Sequence, residues 1–136
     1  MLANMSSLYL LANDSTHERR FDGNLQLQQD FRWRPCYGVL KDNLLFVYNK
    51  ETDEKPFQIL IIEDCFIELC DENRIGKDFT FEIKFKTTGR SFVFAAENFK
   101  GLEKWVSMLT ISPVDYINLS KQSFSEQISL QNQSSN

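Results

Sequence analysis

From Phe21 to Ala96 the apolar residues recur at the period of extended strands, and beyond Ala96 the period becomes that of a helix. The pattern is clearest in Phe79-Thr80-Phe81-Glu82-Ile83-Lys84-Phe85, where apolar and polar residues alternate strictly. Six further segments are predicted as strands: 21–28, 32–40, 44–48, 57–62, 65–70 and 91–96. In the first, Phe21, Gly23, Leu25 and Leu27 share one face, and Gly23 marks a bulge or a close approach. Gln28 to Phe31 reads as a loop. In the second, Pro35 cannot donate to a ladder, which predicts that regular pairing begins after it. Lys41-Asp42-Asn43 is a tight turn, 49–56 and 71–78 are polar loops, and Thr87 to Arg90 is another turn.

The segment Asn98 to Thr110 is the one clear amphipathic helix. Phe99, Leu102, Trp105, Val106 and Leu109 fall on one face, Asn98 can cap the start, and Pro113 lies just past the end. Trp105 is too large to remain wet where strands offer a cavity. Seven short strands and one C-terminal helix predict an all-β domain with a capping helix. Its architecture is a bent sandwich or partly open barrel over residues 21–111, closed at one end by that helix. Residues 1–20 form an N-terminal flanking segment with a small apolar run, Leu8 to Ala12. Residues 112–136 read as a short helix followed by a Ser/Gln/Asn-rich disordered tail, because that composition offers little apolar surface to bury.

Composition narrows the function classes. The 136 residues carry 15 Lys and Arg against 19 Asp and Glu, a net charge of -4, which argues against charge-driven nucleic-acid binding. Three cysteines and the absence of a cleavable leader predict free thiols in a reducing, cytoplasmic setting. The run at residues 8–12 is too short to span a bilayer. Cys36, Cys65 and Cys70 do not have metal-site spacing, and His17 has no catalytic partner at a suitable distance in sequence. No phosphate loop or nucleophile elbow is present, so neither enzyme chemistry nor a cofactor is expected.

Tyr37-Gly38-Val39-Leu40-Lys41-Asp42-Asn43-Leu44-Leu45-Phe46-Val47-Tyr48 resembles the second hairpin of a pleckstrin-homology (PH) domain. Phe92 to Glu97, with Trp105-Val106-Ser107-Met108-Leu109, resembles that family's last strand and Trp-bearing helix. A narrower resemblance, to the sesquipedalian adaptors, is carried by Met1-Leu2-Ala3-Asn4 with Ser7-Leu8, Ile61 to Leu69, Ala95-Ala96-Glu97 and Asp115-Tyr116. It implies a non-enzymatic adaptor peripheral to endosomes or the trans-Golgi network, binding a protein partner. Sesquipedalians continue into a coiled segment and a Phe-and-His peptide that binds inositol 5-phosphatases. Residues 120–136 match neither, so the resemblance does not carry that contact here.

PH domains that hold phosphoinositides resemble one another in a Lys at the end of the first strand and a basic-x-Arg motif on the second. Here the first-strand position is Gln26 or Gln28, and the second reads Arg34-Pro35-Cys36. Arg32, Arg34, Lys41 and Lys50 remain as candidates for a modest lipid- or anion-binding rim, opposed by Asp30, Asp42 and the acidic loop Glu51 to Glu54. Trp33, between two arginines, either dips into a membrane interface or packs in the core or against a loop. Together these imply weak contact with a phosphoinositide or anionic membrane surface, and the alternative is a phosphoinositide-dependent targeting module.

Overall fold

The computed structural model describes residues 18–112. Seven strands form one antiparallel sheet in the order β4-β3-β2-β1-β7-β6-β5. They are β1 (Phe21–Gln29), β2 (Arg32–Lys41), β3 (Leu44–Tyr48), β4 (Gln58–Ile61), β5 (Cys65–Leu69), β6 (Thr80–Phe85) and β7 (Ser91–Ala96). The two edge strands, β4 and β5, do not pair, so the sheet is bent but not closed. The expected architecture of seven strands and a C-terminal helix is what forms. His17, the predicted short helix after Pro113 and the polar tail lie outside the described residues.

Several boundaries differ from expectation for identifiable reasons. β2 runs straight through Pro35, which pairs with Gln26. The β1–β2 turn has two residues and closes on Gln29 and Arg32, so alternation makes Gln26–Pro35 a pair without ladder bonds. The β2–β3 pairing reaches only to Tyr37–Tyr48, so the missing Pro35 N–H faces no strand on that side either. Gly23 forms no bulge: it sits opposite Gly38 in continuous register. The loop after β5 contains one helical turn, α1 (Glu72–Ile75), capped by Asp71, which accepts from the Asn73 N–H, and closed by Gly76 at φ 71°.

The core lies between the bent sheet and the C-terminal helix α2 (residues 99–112). Leu25, Leu27, Leu40, Leu45, Val47, Phe81, Ile83 and Phe94 line the inner face. Leu102, Trp105 and Leu109 descend from α2. Asn98 caps the helix by accepting the Gly101 N–H at 2.8 Å. Phe99 does not join the buried face and is 61% exposed. It occupies the first helical position, ahead of where the axis reaches the core, and the buried stripe runs Leu102, Trp105, Leu109, Ser112.

The outer face of β2, β3 and β4 carries a second apolar cluster: Tyr37, Val39, Leu44, Phe46 and Tyr48, with Ile59 and Ile61 against it. β3 is therefore buried on both faces, which explains its unbroken apolar sequence Leu-Leu-Phe-Val-Tyr.

Candidate functional site

The β1–β2 hairpin turns on Asp30 and Phe31, at φ 50° and 63°. Two consecutive left-handed residues match the right-handed twist of the flanking strands. Asp tolerates that conformation, whereas a bulky Phe is strained in it. Phe31 also gains no packing, since it is 99% exposed. It thus forms an apolar tip, followed directly by the exposed Arg32. This residue was legible in sequence only as part of a loop, because nothing local distinguishes an exposed turn aromatic from one that folds back.

Arg34 lies opposite Leu27, and the pleat places both side chains on the inner face, at the mouth of the open sheet. Its guanidinium carbon stacks 3.6 Å from the centre of the Phe57 ring. Its Nη1 donates to Gln29 Oε1 at 3.2 Å and its Nε donates to Asn49 Oδ1 at 3.1 Å. Nη2 also donates to Asn49 Oδ1. So Arg34 bridges the hairpin and the β3–β4 loop. Gln29, rather than Gln26 or Gln28, is the first-strand side chain that reaches this mouth, because Leu25 and Leu27 point inward and the residues between them point out.

Trp33 sits on the opposite face, half-buried, with the Lys77 ammonium 5.5 Å from its ring centre. This cation–π contact ties the hairpin to the loop that follows α1. Lys50 is exposed, and its loop is bonded to itself: the Lys50 N–H donates to Asp53 Oδ2 at 3.1 Å, and the Asp53 N–H donates to the Lys50 carbonyl at 3.1 Å. Arg32, Trp33, Arg34 and Lys50 therefore gather at one end of the domain. Lys41 does not join them. It stands seven residues along β2 from Arg34, about 23 Å at strand rise, and is only 4% exposed. The reason is register: Lys41 pairs with Leu44 at the opposite end of the sheet, on its outer face.

The cysteines have the character of structural thiols. All three are free. Burial pushes the Cys36 thiol up to about 11, with Arg34 opposing the shift, and burial also raises Cys65 and Cys70. Only the thiolate attacks alkylating reagents. At pH 8, Cys36 should react with iodoacetamide about 100-fold more slowly than an unperturbed thiol, and denaturant should restore its rate. Rapid labelling in the folded protein, followed by mass spectrometry of the Cys36 peptide, would contradict this. Among the described residues there is no cluster of metal ligands, and no helix is long and apolar enough to cross a membrane.

A bent, open seven-stranded antiparallel sheet, a Trp-bearing C-terminal helix and a loop-lined mouth define the pleckstrin-homology fold. The chain belongs to that family: the PH domain family model matches residues 6–112. It is 31% identical over 91 residues to human Sesquipedalian-1, covering 66% of this chain and 35% of that protein. It is 34% identical over 87 residues to human Sesquipedalian-2, covering 63% and 33%. The chain thus spans about a third of the length of these relatives. The solved structure of the Slm1 PH domain in complex with phosphoserine matches with a TM-score of 0.58 at 25% identity, covering 67% of this chain and 91% of that one.

Proposed function

We propose that this protein is a non-enzymatic PH-domain adaptor in endosomal and trans-Golgi membrane traffic. A protein partner supplies most of its affinity, and the β1–β2 hairpin makes a weak, low-specificity contact with anionic membrane. Likeness to the Sesquipedalians supports the adaptor class. The observation that carries the reading is the state of Arg34. Its guanidinium already stacks on Phe57 and donates to Gln29 and Asn49, so binding a headgroup there must displace existing bonds. Around it, Arg32, Arg34, Lys50 and Lys55 are matched by Asp30, Glu51, Asp53 and Glu54. Such a balanced set makes a shallow field, strongly screened at physiological salt. Phe31 instead offers what an interface takes up: a fully exposed ring beside a cation.

Calorimetry with a multiply phosphorylated inositol at physiological salt should give a Kd of about a millimolar or weaker. Co-sedimentation with anionic vesicles should be weak but measurable, and Phe31→Ser should reduce it by roughly tenfold. A saturable micromolar isotherm lost in Arg34→Ala would replace this reading with that of a phosphoinositide-dependent targeting module.

A further inference from the structure

β5 is an edge strand, and among the described residues nothing pairs with its outer side. The ladder to β6 fixes which of its backbone groups are left over. The Cys70 N–H donates to the Thr80 carbonyl at 3.1 Å, and the Lys86 N–H donates to the Asp64 carbonyl at 2.9 Å. Antiparallel bonding alternates between these points. So Phe66 and Glu68 bond to β6, and the amides and carbonyls of Cys65, Ile67 and Leu69 point away from the sheet. Edge strands are commonly blunted by Pro, a bulge or a Lys. β5 reads Cys-Phe-Ile-Glu-Leu in continuous register, with Leu69 64% and Phe66 51% exposed. Its one charge is itself unbalanced. Glu68 stands directly opposite Glu82, so two carboxylates face each other with Cβ atoms about 5 Å apart. Neither has an ion pair among the described residues. Lys84 and Lys86 lie toward Phe66 instead: Lys84 pairs with it, and the Lys86 ammonium is 4.5 Å from the centre of its ring. The other edge, β4, offers less, since the Glu63 N–H already takes the Ile61 carbonyl.

We infer, on the basis of the adaptor reading, that β5 is the docking edge for the protein partner, which adds an extended antiparallel strand with an Arg or Lys opposite Glu68. Register follows from the unpaired groups, because only the partner residues facing Cys65, Ile67 and Leu69 can complete bonded pairs. The partner residue opposite Glu68 then falls on the outer face, in line with Glu68 and Glu82, where a cation offsets their repulsion. A carboxylate there would add a third negative charge to the row. The residues on either side of it fall on the inner face, opposite Ile67 and Leu69, where aliphatic side chains cover the exposed leucine. The next outer position faces Phe66 and suits a β-branched side chain. From its N-terminus the partner strand is therefore aliphatic, basic, aliphatic, β-branched, aliphatic.

The probe is the peptide acetyl-Ser-Val-Arg-Val-Thr-Val-Ser-amide, titrated into the full chain. At saturation it should slow amide exchange at Cys65, Ile67 and Leu69 by roughly tenfold or more, and leave Phe66 and Glu68, already bonded to β6, unchanged. The same peptide with Glu in place of Arg should bind about tenfold more weakly, and Glu68→Lys in the protein should reverse that preference. Glu68 is exposed, so this variant keeps its fold. No slowing, slowing at Ile59 and Ile61 of β4 instead, or equal affinity for the two peptides would each overturn the inference. So would slowing at β5 that grows with protein concentration in the absence of peptide, which would give the edge to a second copy of the chain. Each of these results leaves the inositol-phosphate and vesicle measurements, which test the adaptor reading, unaffected.

Discussion

Replacing Trp105 by Ala should destabilise the protein by about 3–5 kcal/mol, the cost of removing a buried aromatic and leaving a cavity the sheet cannot fill. Trp105 is 2% exposed and is the largest of the fully buried side chains. It meets Phe21 edge-on, with ring centres 4.7 Å apart and planes at 71°, so it ties α2 to the start of β1. Its ring also lies against the backbones of Gly23 and Gly38, which cannot collapse inward because both belong to paired strands. Thermal unfolding followed by circular dichroism should show Tm falling by roughly 15 °C or more. Phe99→Ala, on the same helix but 61% exposed, should change stability by no more than about 0.5 kcal/mol. Equal losses in the two variants would mean that α2 is not anchored through its indole.

The second large effect is expected at Gly38. A Cβ there would stand 3.0 Å from Leu25 Cδ1, 3.0 Å from Trp105 Cη2 and 3.3 Å from Trp105 Cζ2. The indole is rigid and fully enclosed, so it cannot give way by rotating. Gly38→Val should therefore cost about 2–3 kcal/mol by overpacking. The remedy is specific: Trp105→Phe removes the part of the ring that collides. The double variant should be more stable than the sum of its two single losses predicts, by about 1 kcal/mol or more in a double-mutant cycle. Gly23 provides the control, since a Cβ there would meet Trp105 Nε1 at an ordinary 3.7 Å. Gly23→Ala should be neutral or slightly stabilising, because it reduces the freedom of the unfolded chain. Additive losses at Gly38 and Trp105 would show that the indole does not lie on the glycine backbone.

The candidate site was less legible than the fold. Trp33 and Phe31 are two residues apart in the same hairpin, and the sequence singles out Trp33, between its two arginines, as the candidate membrane contact. The hairpin turn places the two rings differently. Phe31 falls on the left-handed corner and projects, whereas Trp33 falls on a strand and is covered by Lys77 from a loop more than forty residues away. Lys41 misses the rim for a similar reason. A cation at the end of a hairpin strand reads as exposed, but the outer face beside this one is itself sealed, and Lys41 is enclosed with it. Arg34 was visible as a cation, but its partners Gln29, Asn49 and Phe57 come from three separate stretches that only the folded sheet brings together.

Hydrophobic period and cap chemistry act over a few neighbouring residues, so the seven strands and the C-terminal helix were readable from local pattern, whereas the helical turn α1 and the passage of β2 through Pro35 were not. The unbroken apolar run from Leu44 to Tyr48 was read only as a strand, and its burial on both faces came from the fold. Strand pairing and turn geometry set which face each residue shares with residues distant in sequence. Register sends Arg34 to the mouth and Lys41 to the far end, turn geometry exposes Phe31, and the glycine pair gives Trp105 its floor. These depend on contacts between strands far apart in the chain, and a local pattern carries no record of such contacts.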